Sequence, residues 1–434
     1  MRGNADGVRN IVFEHRAFSP HRAGQVYSED DASRPFATDA TKFALLGATA
    51  AAFVEQLENQ PDVVHLHDWH AAFYLLMREY APHYDSLRDI RTVFTIHNLS
   101  YQGLRPLRGD ESALEAWFPG LEYMPDEVGD PENDDCINPM AMAIRLADRI
   151  STVSATYAGE ICRPSDEERG FIGGEGLEGL LVDARDDGRL VGILNGCYYN
   201  GPKGRRPGWQ RILGLAAEQL ESWPTDEAHS VARETLAALP KRRPRHVLTS
   251  VGRLVRQKAS LFFENLPDGR TALEAILDDL GSSGVVIVLG SGESEYEQCM
   301  LDIARHQPRL LFLCGYSETL AEPLYRAGDL FLMPSSFEPC GISQMLAMRA
   351  TQPCVVHATG GLKDTVVDGR TGFVFNGSSP QQQAQNFVAS VASALRLRNA
   401  DDDAWQKICI RAASARFSWS KSARQTIELL YEQA

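Results

Sequence analysis

The feature that most constrains the fold of this chain is the alternation of short apolar runs with longer segments of helical spacing. The run at 285–289, Val-Val-Ile-Val-Leu, has the length and branching of a buried strand. Between such runs apolar residues recur every three or four positions, so that Phe43, Leu46, Ala50 and Phe53 share one helical face. Strands that alternate with helices predict parallel sheets covered on both faces. The predicted strands are residues 10–13, 62–65, 92–96, 149–153, 190–194, 246–251, 285–289, 310–313, 329–333 and 353–356.

These strands fall into two sets, separated by residues 197–245, which are rich in proline, glycine and basic residues. Such composition is typical of a linker, and solvated surface explains its basic runs better than phosphate contacts do. We therefore predict an α/β protein of two doubly wound domains, residues 1–240 and 241–417, that face each other across a cleft. The helical pattern at 418–434 is expected to cross back to the first domain.

Charge and cysteine usage limit the partners and the compartment. The formal net charge is −15, whereas nucleic acid or an anionic membrane surface requires a positive field. The eight cysteines form no C-x-x-C pair, which predicts reduced thiols in a cytoplasmic protein. No metal site is expected, and His65 and His67, which flank Leu66, are expected on opposite faces of their strand. The sequence holds no apolar run of about 18 residues, no P-loop and no G-x-S-x-G motif.

Polar residues follow the predicted strands, at the ends where the ligand cleft of such domains lies. Arg253 and Lys258 follow the strand at 246–251 and can both reach one diphosphate. The helix predicted to begin near Gly341 offers free backbone N–H groups to the same anion. Glu338, just before it, suits sugar hydroxyls, which a carboxylate can accept from. The glycines at 360–361 are expected to let the backbone approach the ligand.

Each of these residues has a simpler explanation when it is taken alone. Arg253 and Lys258 can be surface cations, and Glu338 can be a carboxylate that stabilises a helix start. A strand-end histidine such as His97 is more often structural than functional. The Gly-Ser-Gly run at 290–292 is best explained as a simple turn. The functional interpretation therefore depends on the joint occurrence of these residues at the strand ends of two domains.

Seven sequence motifs occur in a fixed order along the chain. They are His-Leu-His-Asp-Trp-His at 65–70, His-Asn-Leu-Ser-Tyr-Gln-Gly at 97–103, Asn-Gly at 195–196, Gly-Arg-Leu at 252–254, Gly-Tyr-Ser-Glu at 315–318, Phe-Glu-Pro-Cys-Gly at 337–341 and Thr-Gly-Gly-Leu at 359–362. In this order, the motifs resemble those of the bacterial glycogen synthases and the plant starch synthases. The resemblance implies the GT-B fold, with two Rossmann-like domains and the active site between them. It implies transfer of glucose from ADP-glucose to the non-reducing end of an α-1,4-glucan such as glycogen, with retention and without a metal or other cofactor.

The resemblance also implies a role for individual residues. Arg253 and Lys258 would hold the diphosphate, joined by backbone groups of Ile342 and Ser343, and Tyr316 would stack near the adenine. The expected glucose contacts are Glu338 with the backbone of Cys340 and Gly341 from one domain, and His97 and Asn195 from the other. Asp68 is expected to shape the acceptor and sugar site and is counted with the donor-binding residues. The residues predicted to be catalytic are His97, Arg253, Lys258 and Glu338.

The chain departs from the family pattern near its beginning. Family members start with a strand and a Lys-x-Gly-Gly-Leu loop that contacts donor and acceptor, and no such loop precedes residue 62 here. We therefore expect an incomplete first domain with an exposed strand edge. This leaves a non-catalytic relative that binds nucleotide-sugar or glucan as the alternative to an active synthase. The motif wording argues against a sucrose- or trehalose-type transferase, and the oligomeric state stays open.

Overall fold

The computed structural model of the protein describes residues 4–5, 7–18, 28, 30–199 and 206–432. Among these residues, four parallel strands form the first sheet, in the spatial order Val63–His67, Arg91–Ile96, Arg149–Thr152 and Leu190–Gly192. The two central strands are buried at nearly every position. Burial of that kind is typical of a parallel sheet with helices on both faces.

The second sheet is also parallel, and its chain order reverses at one place. The strand His246–Val251 lies between two others, one reached directly along the chain and one reached after two further strands. Ligands of such sheets bind outside the carboxyl ends of the strands at this reversal. The six strands of this sheet in the described residues are, in spatial order, Leu310–Cys314, Gly284–Gly290, His246–Val251, Leu330–Met333, Cys354–His357 and Phe373–Phe375.

Helices connect the strands, and several of them begin at local capping groups. The helix Ala272–Leu280 starts with a capping box, in which Thr271 and Glu274 each bind the other's backbone N–H. Short strand pairs join Asn4–Ala5 to Val8–Arg9 and Arg105–Pro106 to Cys136–Ile137. The other helices are Ala37–Glu55, Asp68–Ala71, Phe73–Tyr80, Leu114–Trp117, Pro125–Val128, Pro139–Leu146, Ala155–Glu160, Glu178–Asp186, Trp209–Ser222, Glu227–Ala238, Arg256–Phe263, Ser294–His306, Glu318–Ala327, Ser343–Arg349, Gly360–Thr365, Pro380–Ala400, Asp402–Ser414 and Trp419–Thr426, with 3-10 turns at Arg16–Phe18, Pro82–Asp89 and Gly281–Ser283.

The predicted linker contributes two helices to the second domain. Trp209–Ser222 and Glu227–Ala238 bury their apolar faces against Val247 and Val285 of the second sheet. The boundary predicted near residue 240 is therefore too late, because these helices cover the second sheet rather than the first. Residues 200–205, which include most of the first basic run of that linker, lie outside the described residues.

The end of the chain returns to the first sheet. After the helix Trp419–Thr426, a π-helical turn at Ile427–Tyr431 buries Leu430 completely against Val93 and Ile193. Apolar burial on the first sheet thus holds the terminal segment. Residues 433–434 of the segment that was expected to cross back lie outside the described residues.

One predicted strand does not form, and one strand of the second sheet was not predicted. Within the described residues, 10–13 pair with no other strand, and Ile11 and Val12 are exposed, because an apolar run forms a sheet only where a neighbour supplies partners. Phe373–Phe375 was not predicted, since three residues are too few to show a period.

The helices in the described part of the chain include none with both the length and the apolar character that crossing a bilayer demands.

One buried carboxylate organises the amino edge of the second sheet. The Asp329 side chain is 2% exposed and accepts from the guanidinium groups of Arg206, Arg243 and Arg398 at 2.6, 2.9 and 3.0 Å. It also accepts from the backbone N–H of Val247 at 2.8 Å. A buried charge is stable only when it is paired, so this carboxylate ties the linker and a later helix to the sheet.

We expect Asp329→Ala to lower the free energy of unfolding by about 3 kcal/mol, since three arginines lose their shared partner. Urea denaturation measures the loss. Asp268→Ala is the matched control, because the pair of Asp268 with Arg270 is equally short, at 2.6 Å, but exposed to solvent. The control should change stability little, and equal losses in the two variants would contradict the organising role of Asp329.

Candidate active site

The carboxyl ends of three neighbouring strands open into a cavity of about 890 Å³. Its lining includes Arg253, which follows the strand His246–Val251, and Tyr316, which follows Leu310–Cys314. Ser343, at the start of a helix, lines the same cavity. Three of the residues singled out from the sequence are thus brought together at the place where the strand order reverses.

Close backbone contacts shape the wall of this cavity. A Cβ atom on Gly290 would lie 1.9 Å from the carbonyl oxygen of Gly252, and one on Gly292 would lie 2.2 Å from that of Leu254. Only glycine fits such an approach. The interpretation of 290–292 as a simple turn therefore missed a wall of the site, although its position directly after a buried strand was a usable signal. No sequence pattern marked two other lining residues, Glu322 and Tyr325.

Lys258 and Glu338 form an ion pair beside the cavity. The ammonium group donates to Oε1 at 2.9 Å and to Oε2 at 2.8 Å, and the Ser335 hydroxyl donates to Oε2 at 3.1 Å. Glu338 is only 5% exposed, so its charge requires such partners. Lys258 also shares the lining of a small adjoining cavity with Arg253. Two residues with separate predicted roles therefore form one charged unit next to Arg253.

The backbone turns sharply before the next helix. Gly341 has a φ of +70°, and a Cβ atom there would lie 2.6 Å from the side-chain oxygen of Gln344. The helix begins at Ser343, and Ile342 occupies the capping position without a side-chain cap. The Ser343 hydroxyl donates to the Val251 carbonyl at 3.2 Å, which ties the helix start to the end of the central strand.

The Phe-Glu-Pro-Cys-Gly loop, residues 337–341, also packs into the first domain. Phe337 and Cys340 are buried in the core of that domain, and the Phe337 ring lies 5.5 Å from the Tyr157 ring. The Ser154 hydroxyl donates to the Pro339 carbonyl at 2.6 Å. Burial raises the pKa of the Cys340 thiol to about 12, so that it stays protonated. The loop therefore joins the two halves of the site.

Two glycines of the second domain lie directly against the backbone of this loop. A Cβ atom on Gly360 would lie 2.0 Å from the Glu338 carbonyl oxygen, and one on Gly361 would lie 2.2 Å from that of Cys340. The sequence suggested that these glycines let the backbone approach a ligand. In the structure the two glycines let their backbone approach the 337–341 loop instead. The Gly360 N–H also donates to the buried Glu160 carboxylate of the first domain at 3.1 Å.

On the first sheet, Asp68 holds the loop that carries His97. Its carboxylate accepts from the backbone N–H groups of His97 and Asn98 at 2.7 and 3.4 Å, and burial raises its pKa. Asp68 has a φ of +55°, a conformation that costs free energy in a residue with a side chain. Its hydrogen bonds go to backbone, so Asp68 acts on the site through the position of His97.

His97 and Asn195 line a second cavity of about 410 Å³, between the first sheet and the C-terminal segment. His65 and His67 line it too. The expectation that these two point to opposite faces was wrong, because residues two apart on a strand share a face, and their ring centroids lie 4.4 Å apart. Within the described residues, no three histidine, cysteine or carboxylate side chains are grouped as a metal site requires.

This fold and this site define a class of protein, the GT-B glycosyltransferases. The starch synthase catalytic domain family matches residues 1–183, and the glycosyl transferases group 1 family matches residues 245–393. A glycogen synthase from Desulfitobacterium hafniense is 34% identical over 386 residues, which cover 86% of this chain and 73% of the relative. One from Deinococcus radiodurans is 33% identical over 438 residues, which cover 98% and 83%. The chain belongs to the glycogen synthase family and is a glycosyltransferase of glycogen and starch synthesis.

Solved structures agree with this assignment. The catalytic domain of starch synthase IV from Arabidopsis thaliana, bound to ADP and acarbose, aligns with a TM-score of 0.72 and 28% identity, over 94% of this chain and 78% of that one. Sucrose-phosphate synthase from Thermosynechococcus elongatus aligns with a TM-score of 0.52 at 16% identity, over 93% of this chain and 79% of that one. The second likeness is one of fold alone.

One half-buried histidine, His65, and one buried histidine, His357, predict a loss of stability in acid. Burial lowers the pKa of His65 and of His357 from 6.5 to about 4. Above pH 6.5 both rings are neutral in the folded and the unfolded states. Below it the unfolded chain binds protons that the folded chain does not, so the free energy of unfolding falls between pH 6.5 and 4, by about 3 kcal/mol for one such ring.

His357→Asn tests this at one site, because asparagine can keep the donor that His357 Nδ1 offers to the Ser335 carbonyl at 3.2 Å. Urea denaturation across that pH range should show a shallower dependence in the variant. His306→Asn, an exposed change of the same kind, is the control and should leave the dependence as it is. An unchanged slope in His357→Asn would contradict the prediction.

Proposed function

We propose that this chain transfers glucose from ADP-glucose to the non-reducing end of an α-1,4-glucan, with retention of the anomeric configuration. The observation that carries the proposal is the Lys258–Glu338 ion pair next to Arg253, at the carboxyl edge of the second sheet. The likeness to a starch synthase IV solved with ADP and acarbose supports the same chemistry.

The nucleotide occupies the cavity of about 890 Å³. Tyr316 is 76% exposed there, and its ring is free to stack on a base while its hydroxyl donates to Glu318 at 2.9 Å. The carboxylates of Glu318 and Glu322 line the same cavity. Carboxylates accept hydrogen bonds from the exocyclic amine of adenine, a group that uracil lacks. These residues favour ADP-glucose over UDP-glucose.

Arg253 and Lys258 bind the diphosphate. Negative charge grows on the diphosphate as its bond to the sugar breaks, so these two cations stabilise the transition state more than the ground state. The Lys258 ammonium has three donors, enough to serve a phosphate oxygen and Glu338 together. Glu338 in turn accepts from the glucose hydroxyls, and the backbone at Cys340 and Gly341 completes that side of the sugar.

The glucose is transferred on one face of the sugar. The C1–O bond to the β-phosphate breaks, and the acceptor hydroxyl oxygen forms a new bond to C1 on the face that ADP leaves. The hydroxyl proton passes to a phosphate oxygen of the departing ADP, so the step needs no pair of carboxylates. His97 and Asn195 contact the glucose from the first domain. Arg253 and Lys258 neutralise the leaving group, a task that other transferases give to a metal ion.

We expect the purified protein to incorporate labelled glucose from ADP-glucose into glycogen, and more slowly from UDP-glucose. Arg253→Met and Lys258→Met should each lower kcat by about 100-fold, since each removes a charge aimed at the leaving diphosphate. The rate of label incorporation at saturating donor measures the effect.

Arg256→Met is the matched control, because Arg256 carries the same charge as Arg253, lies two residues from Lys258 and is exposed. It should keep the wild-type rate. ADP binding by the wild type without any incorporation of glucose would contradict the proposal and support a binding role instead. Equal losses in all three variants would remove the specific roles of Arg253 and Lys258.

A further inference from the structure

A chain of imidazole rings leads from His97 to the C-terminal segment. His67 Nδ1 lies 3.0 Å from His97 Nε2, and the ring of His67 stacks on that of His65 with an interplanar angle of 22°. His65 Nδ1 lies 2.8 Å from the hydroxyl of Tyr431, 366 positions along the chain. The last turn of the C-terminal segment is thereby connected to a residue of the candidate site.

The far end of this chain is held at several points. His65 Nε2 lies 2.6 Å from the Thr95 hydroxyl, which lies 2.6 Å from that of Ser151 on the next strand. The Tyr431 carbonyl accepts from the Arg91 guanidinium at 3.0 Å. Each polar atom of the His65 ring therefore has a partner, and the ring cannot turn without losing one.

The protonation of the rings makes the contact between His67 and His97 directional. Burial lowers the pKa of both, and of His65, so all three are neutral near pH 7. A neutral imidazole has one nitrogen that donates and one that accepts. The hydrogen bond between His67 and His97 therefore links the tautomers of the two rings. Of the two ring nitrogens of His97, Nε2 is used in this hydrogen bond, and Nδ1 has no hydrogen bond to another described residue.

Packing alone does not hold these rings. The cavity of about 410 Å³ lies directly beside them, lined by His65, His67 and His97 together with Asn195 and Tyr431. A side chain that borders open space keeps its rotamer only if directional bonds hold it. The Asp68 carboxylate fixes the backbone of His97, and the hydrogen bond with His67 fixes the ring of His97.

We propose that His67 is a positioning residue that sets the ring orientation and tautomer of His97, and that Tyr431 anchors the same chain of rings from the C-terminal segment. The inference rests on the proposed function for one point, that His97 contacts the transferred glucose. A glucose hydroxyl then meets Nδ1 of His97 in one fixed geometry. Small errors in such geometry lower the rate of the chemical step more than the affinity for substrate.

The test compares His67→Phe, His67→Asn and Tyr431→Phe in the full chain. His67→Phe keeps a ring without the Nδ1 atom, and we expect kcat to fall about 10-fold with KM for ADP-glucose within about twofold. His67→Asn places an amide where Nδ1 was and should recover most of that loss. Tyr431→Phe removes one hydroxyl and should lower kcat about threefold. Tyr84→Phe, in the first domain but away from the cavity, is the control and should keep the wild-type kcat.

A second measurement does not depend on turnover. In protein labelled with ¹⁵N-histidine, the ring nitrogen shifts of His97 should change in His67→Phe and return toward the wild type in His67→Asn. The inference is overturned if kcat is unchanged in His67→Phe or if the two His67 variants lose kcat equally. It is also overturned if the ring nitrogen shifts of His97 are the same in the wild type and in His67→Phe. If the wild type transfers no glucose, the proposed function fails, and the ring shifts still decide whether His67 sets the tautomer of His97.

Discussion

The contact on which the rest of the site depends is the burial of the 337–341 loop between the two domains. Its aromatic residue, Phe337, packs in the core of the first domain, while the carboxylate of Glu338 binds Lys258 of the second. The glycines at 360–361 lie against its carbonyl oxygens so closely that no side chain fits. Because the loop is held from both sides, Glu338 has a fixed position relative to both sheets.

The second sheet has one buried carboxylate at the amino ends of its strands and another at their carboxyl ends, and the two have different partners. Asp329 binds three guanidinium groups, and Arg206 among them also donates to the Ala327 carbonyl at 2.7 Å. Rigid forks that are already shared with backbone suit a structural role. Glu338 is bound instead by the Ser335 hydroxyl and by one cation, the Lys258 ammonium group. That group lies on a flexible stem, and its donors can be redistributed when an anion arrives. The difference separates the end of the sheet that holds the domain together from the end where we propose that the chemistry takes place.

Sequence patterns located the second sheet closely because strands buried on both faces form continuous apolar runs, so that Gly284–Gly290 exceeds its prediction by one residue at each end. The strand predicted at 10–13 failed because pairing is a non-local property. Arg253, Lys258 and Glu338 could be proposed as site residues from the sequence because they follow predicted strands, where ligands of such sheets bind. The pairing of Lys258 with Glu338 joins residues 80 apart, and no spacing rule predicts it.

The two halves of the site are fixed by different forces. In the second domain the cavity wall depends on backbone contacts at Gly290 and Gly292, which leave no room for any other residue. In the first domain His97 borders open space. Its backbone N–H donates to Asp68, and its ring shares a hydrogen bond with His67. The left-handed backbone of Asp68 is a strained conformation, and strain persists only where surrounding contacts over-determine it. Shape therefore sets the cavity wall in the second domain, and hydrogen bonding sets the position of His97 in the first, so changes that keep volume but remove a polar atom should disturb the first domain selectively.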